Sequence, residues 1–204
     1  MGQVEDARSD AEILAQVRVH PEEFANIFHR HYDTIHGYLA RRIGPDVADD
    51  LASEVFLVAL RRAAAFDGRD REALPWLYGI ATNVLHRHRR DEVRRWRAFQ
   101  RLAGREDAYV DVEFDAVEDR QAAAQFRSCL AAALSEMGRH RRDVLLLHAW
   151  EGLTYEQIAH ALGVPVGTVR SRLWRARRMV RELCEPTGQQ TGDGHLPIDR
   201  GGSQ

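Results

Sequence analysis

The chain is predicted to be all-α, with two helical domains joined by an acidic flexible linker and a helix-turn-helix in the C-terminal domain. Three observations predict this. Apolar residues recur at helical spacing with no strand-like alternation, two arginine-rich blocks flank a stretch that carries only acids, and a capping box, a glycine turn and a second amphipathic helix follow one another between Leu153 and Leu183.

The elements follow in order. Residues 1–20 read as a polar, flexible arm. Phe24, Ile27, Phe28, Ile35, Leu39 and Ile43 then keep helical spacing until Gly44-Pro45 stops them. Asp46 is the expected cap of the next helix, where Val47, Leu51, Val55, Val58 and Leu60 form the apolar side and Asp49, Asp50 and Glu54 an acidic outer edge. The run Phe66-Asp67-Gly68-Arg69-Asp70-Arg71 reads as a loop. Pro75 opens a third helix whose inner side carries Trp76, Leu77, Ile80, Ala81, Val84 and Leu85. The first domain is thus expected over residues 21–100. A linker follows over 101–124, a second domain over 125–185 with helices near 120–137 and 139–150, and a disordered Gly- and Gln-rich tail over 186–204.

Composition narrows the function. With 204 residues, 44% hydrophobic and 29% charged, the chain suits one large or two small cores. Its apolar runs are too short for a membrane span and its acidic start does not resemble a secretory signal, so a cytoplasmic location without membrane insertion is expected. Cys129 and Cys184 stand apart from any C-x-x-C spacing, which fits a reducing compartment and argues against a disulfide frame or a zinc ribbon.

The formal charge of −2 conceals a segregation. The chain has no lysine. Eight arginines lie between Arg87 and Arg105 against Asp91 and Glu92, and a second block from Arg170 to Arg181 contains no acid. Between them, Glu106 to Asp119 carries acids and no base. Such blocks need an anionic partner, and nucleic acid is the natural one.

The second block lies on the helix-turn-helix. Thr154 and Gln157 form a capping box, Gly163 supplies a turn with positive φ, and Pro165 pre-sets φ for the next helix. At 100° per residue, Val169, Leu173, Ala176 and Val180 share the packing face. Ser171, Trp174, Arg175 and Arg178 share the opposite one. Thr168, Arg170, Arg172 and Arg177 flank them, placed to reach phosphates if the helix enters a major groove.

These residues carry a family resemblance. The run from Gly163 through Val169-Arg170-Ser171-Arg172-Leu173 to Trp174-Arg175-Ala176-Arg177 resembles the promoter-reading helix of bacterial sigma factors of the extracytoplasmic-function (ECF) class, in the sigma-70 family. Asp49-Asp50-Leu51-Ala52-Ser53-Glu54-Val55-Phe56 resembles their core-polymerase segment, and Trp76-Leu77-Tyr78-Gly79-Ile80-Ala81-Thr82-Asn83 their minus-ten segment. The resemblance implies a first domain (sigma region 2) that binds the β′ clamp of core RNA polymerase through Asp49, Asp50, Leu51, Glu54, Val55 and Phe56. The same domain would open the minus-ten element with Phe66, Arg69, Arg71, Trp76, Asn83 and Arg87. It implies a second domain (sigma region 4) that docks on the β flap and reads the minus-thirty-five element with the residues of the second helix named above. The acidic linker would occupy the polymerase's basic RNA path. An anti-sigma protein is a common partner in the class. Many relatives carry Asp where this chain has Arg87.

Bland readings stand beside these. Phe66 is as readily core as base pocket, Trp76 more readily core than wedge, and Asn83 also reads as a helix residue satisfied within the fold. The histidines form no ligand set with cysteine, so no metal and no cofactor are expected. No nucleophile triad, phosphate loop or paired carboxylates are found, so no enzyme is proposed. The alternative is a transcription regulator with the same DNA-binding helix and a ligand-sensing N-terminal unit, which would act as a dimer on palindromes.

Overall fold

A computed structural model describes residues 8–68, 71–103 and 121–184, and the regular elements among them are all helices. They are α1 (Asp10–Gln16), α2 (Phe24–Ile43), α3 (Pro45–Arg62), α4 (Leu74–Ala103), α5 (Gln121–Glu136), α6 (Arg139–Ala149), α7 (Tyr155–Leu162) and α8 (Val166–Cys184). Single 3-10 turns occupy Pro21–Glu23 and Ala63–Ala65.

The expected flexible arm is corrected by α1. Ser9 and Glu12 make a reciprocal capping box, and Ile13, Leu14 and Val17 are buried against the first domain. Three apolar residues within five are too few to read as a periodic helix, so burial rather than pattern decides this element. Asp10 fixes its position. The carboxylate, 5% exposed, accepts from the Ala73 amide at 2.8 Å and pairs with Arg30 at 2.9 Å and His31 at 2.7 Å. Burial works to raise its pKa, but the His31 hydrogen bond, the Ala73 amide and Arg30 outweigh it and bring it down to about 2.

Helices α2, α3 and α4 form the first bundle. Ile27, Ile35, Leu39, Val55, Leu77 and Ala81 are fully buried in it, each large aliphatic contributing roughly 1.5–3 kcal/mol. Asp46 is not the cap of α3. Gly44, at φ 84°, ends α2 and Pro45 occupies the first turn, leaving Asp46 to favour the positive helix end. The linker expected over 101–124 is helical at both ends, since α4 runs to Ala103 and α5 starts at Gln121. Its acidic stretch, like the tail beyond residue 184, lies outside the described residues.

In the second domain α6, α7 and α8 enclose Val144, Leu147, Ile158, Val169 and Leu173. The reading of two unpaired cysteines is corrected here. Cys129 on α5 and Cys184 at the end of α8 form a disulfide, with 5.5 Å between their α-carbons. Fifty-five positions separate them in sequence, so only the packing of α5 along α8 brings them together.

The two domains also pack on each other. One buried apolar cluster runs from Ile13 and Ile35 through Leu77 to Ile158 and Leu173. The contact is made mainly by α4 against α7, where the Gly79 backbone meets the Ala161 carbonyl.

Candidate nucleic-acid interface

Helix α8 presents the expected faces. Thr154 and Gln157 make the capping box of α7, and Gly163 ends that helix in the left-handed region at φ 62°. α8 begins one residue after Pro165, whose carbonyl accepts from the Thr168 and Val169 amides. Val169, Leu173 and Ala176 are buried and Val180 is half-buried. Arg170, Ser171, Trp174, Arg175, Arg177 and Arg178 are exposed, and Thr168 and Arg172 half-exposed. Arg178 lies 5.6 Å over the Trp174 ring and pairs with Glu182 at 2.6 Å, so it is held beside the surface that Trp174, 61% exposed, offers to a partner.

The candidate minus-ten residues divide. Phe66 and Trp76 are half-buried and meet edge to face at 5.3 Å, one aromatic pair beside the loop rather than two separate fingers. Asn83 is exposed on α4. Arg87, one turn further along, pairs with Glu54 on α3. Arg71 is exposed, its carbonyl accepting from the Ala11 amide at 3.2 Å, so α1 anchors the far end of the loop. Arg69 lies outside the described residues.

The candidate polymerase edge is corrected in part. Asp49 and Asp50 are exposed and Glu54 half-exposed, but Leu51, Val55 and Phe56 are 5%, 0% and 3% exposed. Phe56 packs edge-on against Phe24 and Phe28, so these three hold α3 in the bundle and cannot touch a partner without unfolding it. The apolar residues that do face outward are Leu57 and Leu60, at 54% and 38%. Leu57 stands among Asp50, Ser53 and Glu54 at helical spacing, and that interruption of a polar face was the available signal for it.

A third surface was not foreseen. Leu130, Leu134, Leu145, Leu146, Trp150 and Val180 line an apolar groove of about 410 Å³ between α5, α6 and α8, with Cys184 also in its wall. Residues from helices far apart in sequence make it, which is why no single segment announces it.

Charged pairs lock the domains together. Glu151 accepts from the Tyr78 hydroxyl at 2.6 Å and from Arg41 at 2.6 Å. Asp143, buried, pairs with Arg42 at 3.3 Å and His86 at 2.9 Å. Burial pushes the Asp143 carboxyl up, but the His86 hydrogen bond and the Arg42 charge prevail and hold it low. Burial and then Glu151 hold the Tyr78 hydroxyl well above its ordinary value, so it stays a donor. His160 of α7 lies 3.5 Å from Asp67, placing the helix-turn-helix directly against the candidate base-pocket loop.

Sequence comparison matches residues 27–95 to Sigma-70 region 2 and residues 127–180 to Sigma-70, region 4. The ECF RNA polymerase sigma factor SigM of Mycobacterium tuberculosis is 32% identical over 179 residues, 86% of this chain and 85% of its own. The chain belongs to the ECF RNA polymerase sigma factors. As a sigma factor it directs RNA polymerase to promoters, and α7–α8 is its DNA-binding helix-turn-helix in region 4. Among solved structures, CnrH in complex with the cytosolic domain of CnrY is 25% identical at a TM-score of 0.57, over 85% of this chain and 96% of that one. The sigma factor RpoE bound to the anti-sigma factor NepR, from Bartonella quintana, shares the fold at 22% identity and a TM-score of 0.56, over 79% of this chain and 96% of that one.

Proposed function

We propose that one copy of this sigma factor joins core polymerase and reads an asymmetric promoter with two separate surfaces. The observation that carries this is the α8 outer face, where an acid-free run of exposed arginines brackets Ser171, Trp174 and Arg175 over a buried apolar seam. In this reading Arg175 and Ser171 face bases of the minus-thirty-five element, and Arg170, Arg172 and Arg177 face phosphates. Asn83, Arg71 and the Phe66–Trp76 pair take part in capturing the opened minus-ten strand, since an extruded base needs an aromatic wall and polar edges. The acidic edge of Asp49, Asp50 and Glu54, with Leu57 and Leu60, suits a basic clamp surface, and the apolar groove of region 4 suits the β flap. An anti-sigma protein, of the kind that RpoE binds, would act by covering these faces. The family works with RNA polymerase in the cytoplasm, and the role here needs no catalytic step by the chain itself.

The packed arrangement of the domains cannot serve both elements. Elements centred about 25 base pairs apart lie roughly 80 Å apart at ~3.4 Å per pair, whereas α8 sits one helix layer, about 10 Å, beyond the α7–α4 contact. The domains must therefore part on the promoter. Run-off transcription with purified core on genomic fragments tests the role: discrete start sites that depend on the protein support it. Dimeric binding to palindromes with no transcription from core would favour the regulator reading.

A further inference from the structure

The face where the domains meet carries a strongly basic cleft open to solvent on one side. One chamber of about 420 Å³ is lined by Arg62 of α3, Asn83, His86, Arg87 and Arg90 of α4, and Arg139 and His140 of α6. A second, of about 480 Å³, shares His86, Arg90 and Arg139 and extends along α4 past Arg94 and Arg97 to Arg142. Glu136 is the one acid lining either chamber. Of the other nearby acids, Glu54 pairs with Arg87, Asp91 with Arg94, Glu92 with His88, and Asp143 with Arg42 and His86. Among the described residues, Arg62, Arg90 and Arg139 have no carboxylate partner.

Packing the domains thus brings cations of α3 and α4 against cations of α6, which costs energy unless an anion neutralises them. The local potential is visible at His140, whose pKa burial lowers first and Arg139 and Arg172 lower further, against the weaker pull of Asp143. Each chamber has the size of a small-molecule site, about 300–1,000 Å³, and is walled by both domains.

We propose that this interdomain cleft binds a small polyphosphate anion, with Arg90 and Arg139 gripping it from the two domains. Several linked phosphate groups match several fixed guanidinium groups, each able to give two parallel hydrogen bonds, where a single phosphate would satisfy only one or two of them. The bound anion holds region 2 to region 4. The cleft shares Asn83 with the surface proposed for the minus-ten strand, yet anion binding is measured without transcription; its consequence, a sigma factor kept closed by the ligand, rests on the promoter reading.

Calorimetric titration of the full chain with inorganic tripolyphosphate, at constant ionic strength, tests the site directly. One saturable site is expected. Arg90→Ser with Arg139→Ser should weaken it at least tenfold, while Arg175→Ser, at an exposed α8 position that lines neither chamber, should change it less than twofold. Both arginines are exposed, and a circular-dichroism melt checks that the double variant folds. A parallel titration with a nucleoside triphosphate separates two sources of the same chemistry: equal affinity assigns the site to the phosphate chain, and tighter binding adds a nucleoside contact within the cleft. No saturable binding at millimolar tripolyphosphate overturns the proposal. So does loss of binding in Arg175→Ser with retention in the double variant, which would put the anion on α8. Neither outcome depends on transcription, so a failure here leaves the promoter reading standing.

Discussion

Gly79 of α4 lies so close to Ala161 of α7 that a β-carbon on it would stand 2.3 Å from the Ala161 carbonyl oxygen and 3.2 Å from its α-carbon. No side chain can occupy that space without moving a backbone. The glycine costs α4 about 1 kcal/mol of helix propensity relative to alanine, and what it allows is the close approach of the two domains.

Gly79→Ala should therefore separate the domains without harming the first bundle, because α4 gains propensity as the contact is lost. The radius of gyration from small-angle scattering should rise, with the thermal midpoint of region 2 unchanged or higher. An unchanged radius would mean that the α4–α7 contact can absorb a methyl group.

Asp10 predicts an acid-dependent stability. Its carboxyl falls from an ordinary 3.8 to about 2 in the folded chain, so its contribution is present above pH ~4 and fades as pH drops toward 2. That shift corresponds to about 2 kcal/mol. Urea unfolding of Asp10→Asn should show a weaker loss of stability between pH 4 and pH 2 than the parent chain. Parallel curves would detach Asp10 from the fold's acid sensitivity.

The Cys129–Cys184 bond closes a long loop around all of region 4, and such a cross-link is worth about 2–4 kcal/mol. Reduction, or Cys129→Ser, should lower the thermal midpoint of region 4 and leave region 2 nearly unaffected. Equal midpoints with and without reductant would show that α5 and α8 hold each other without the bond.

On α8, Arg175→Ala should cost ~1–3 kcal/mol and relax preference at one base pair, while Arg170→Ala should weaken all sequences alike and lower the salt dependence. Promoter libraries selected with the two variants should show different preferences. Identical preferences would remove the division between base and phosphate contacts.

What could be read from the sequence was local. Thr154, Gln157 and Gly163 determine a helix start and stop through neighbours within a few residues, and the alternation of Val169, Leu173 and Ala176 with Arg170, Arg175 and Arg178 assigns α8 its faces. The acidic outer edge of α3 follows the pattern, with Asp49 and Asp50 exposed, but the apolar residues assigned beside it do not. Leu51, Val55 and Phe56 are apolar and go inward like other apolar residues, while Leu57 interrupts a polar face and stays outside, and Leu60, placed by its spacing on the apolar side, is 38% exposed. Helix α1, the disulfide, the apolar groove and the domain contact were missed for one reason. Ala73 satisfies Asp10, Cys129 meets Cys184, Asp143 meets Arg42 and Glu151 meets Tyr78 across tens of residues, and periodicity carries no information at that range.

The most direct test of the account is the distance between the two promoter-reading domains, measured by energy transfer between dyes placed at exposed Ala25 on α2 and exposed Glu182 on α8. The free protein should give one short-distance population, and addition of core polymerase with promoter DNA should convert it to one longer by tens of ångströms. A distance that stays short in a complex competent for transcription would contradict the account, as would a free protein already extended.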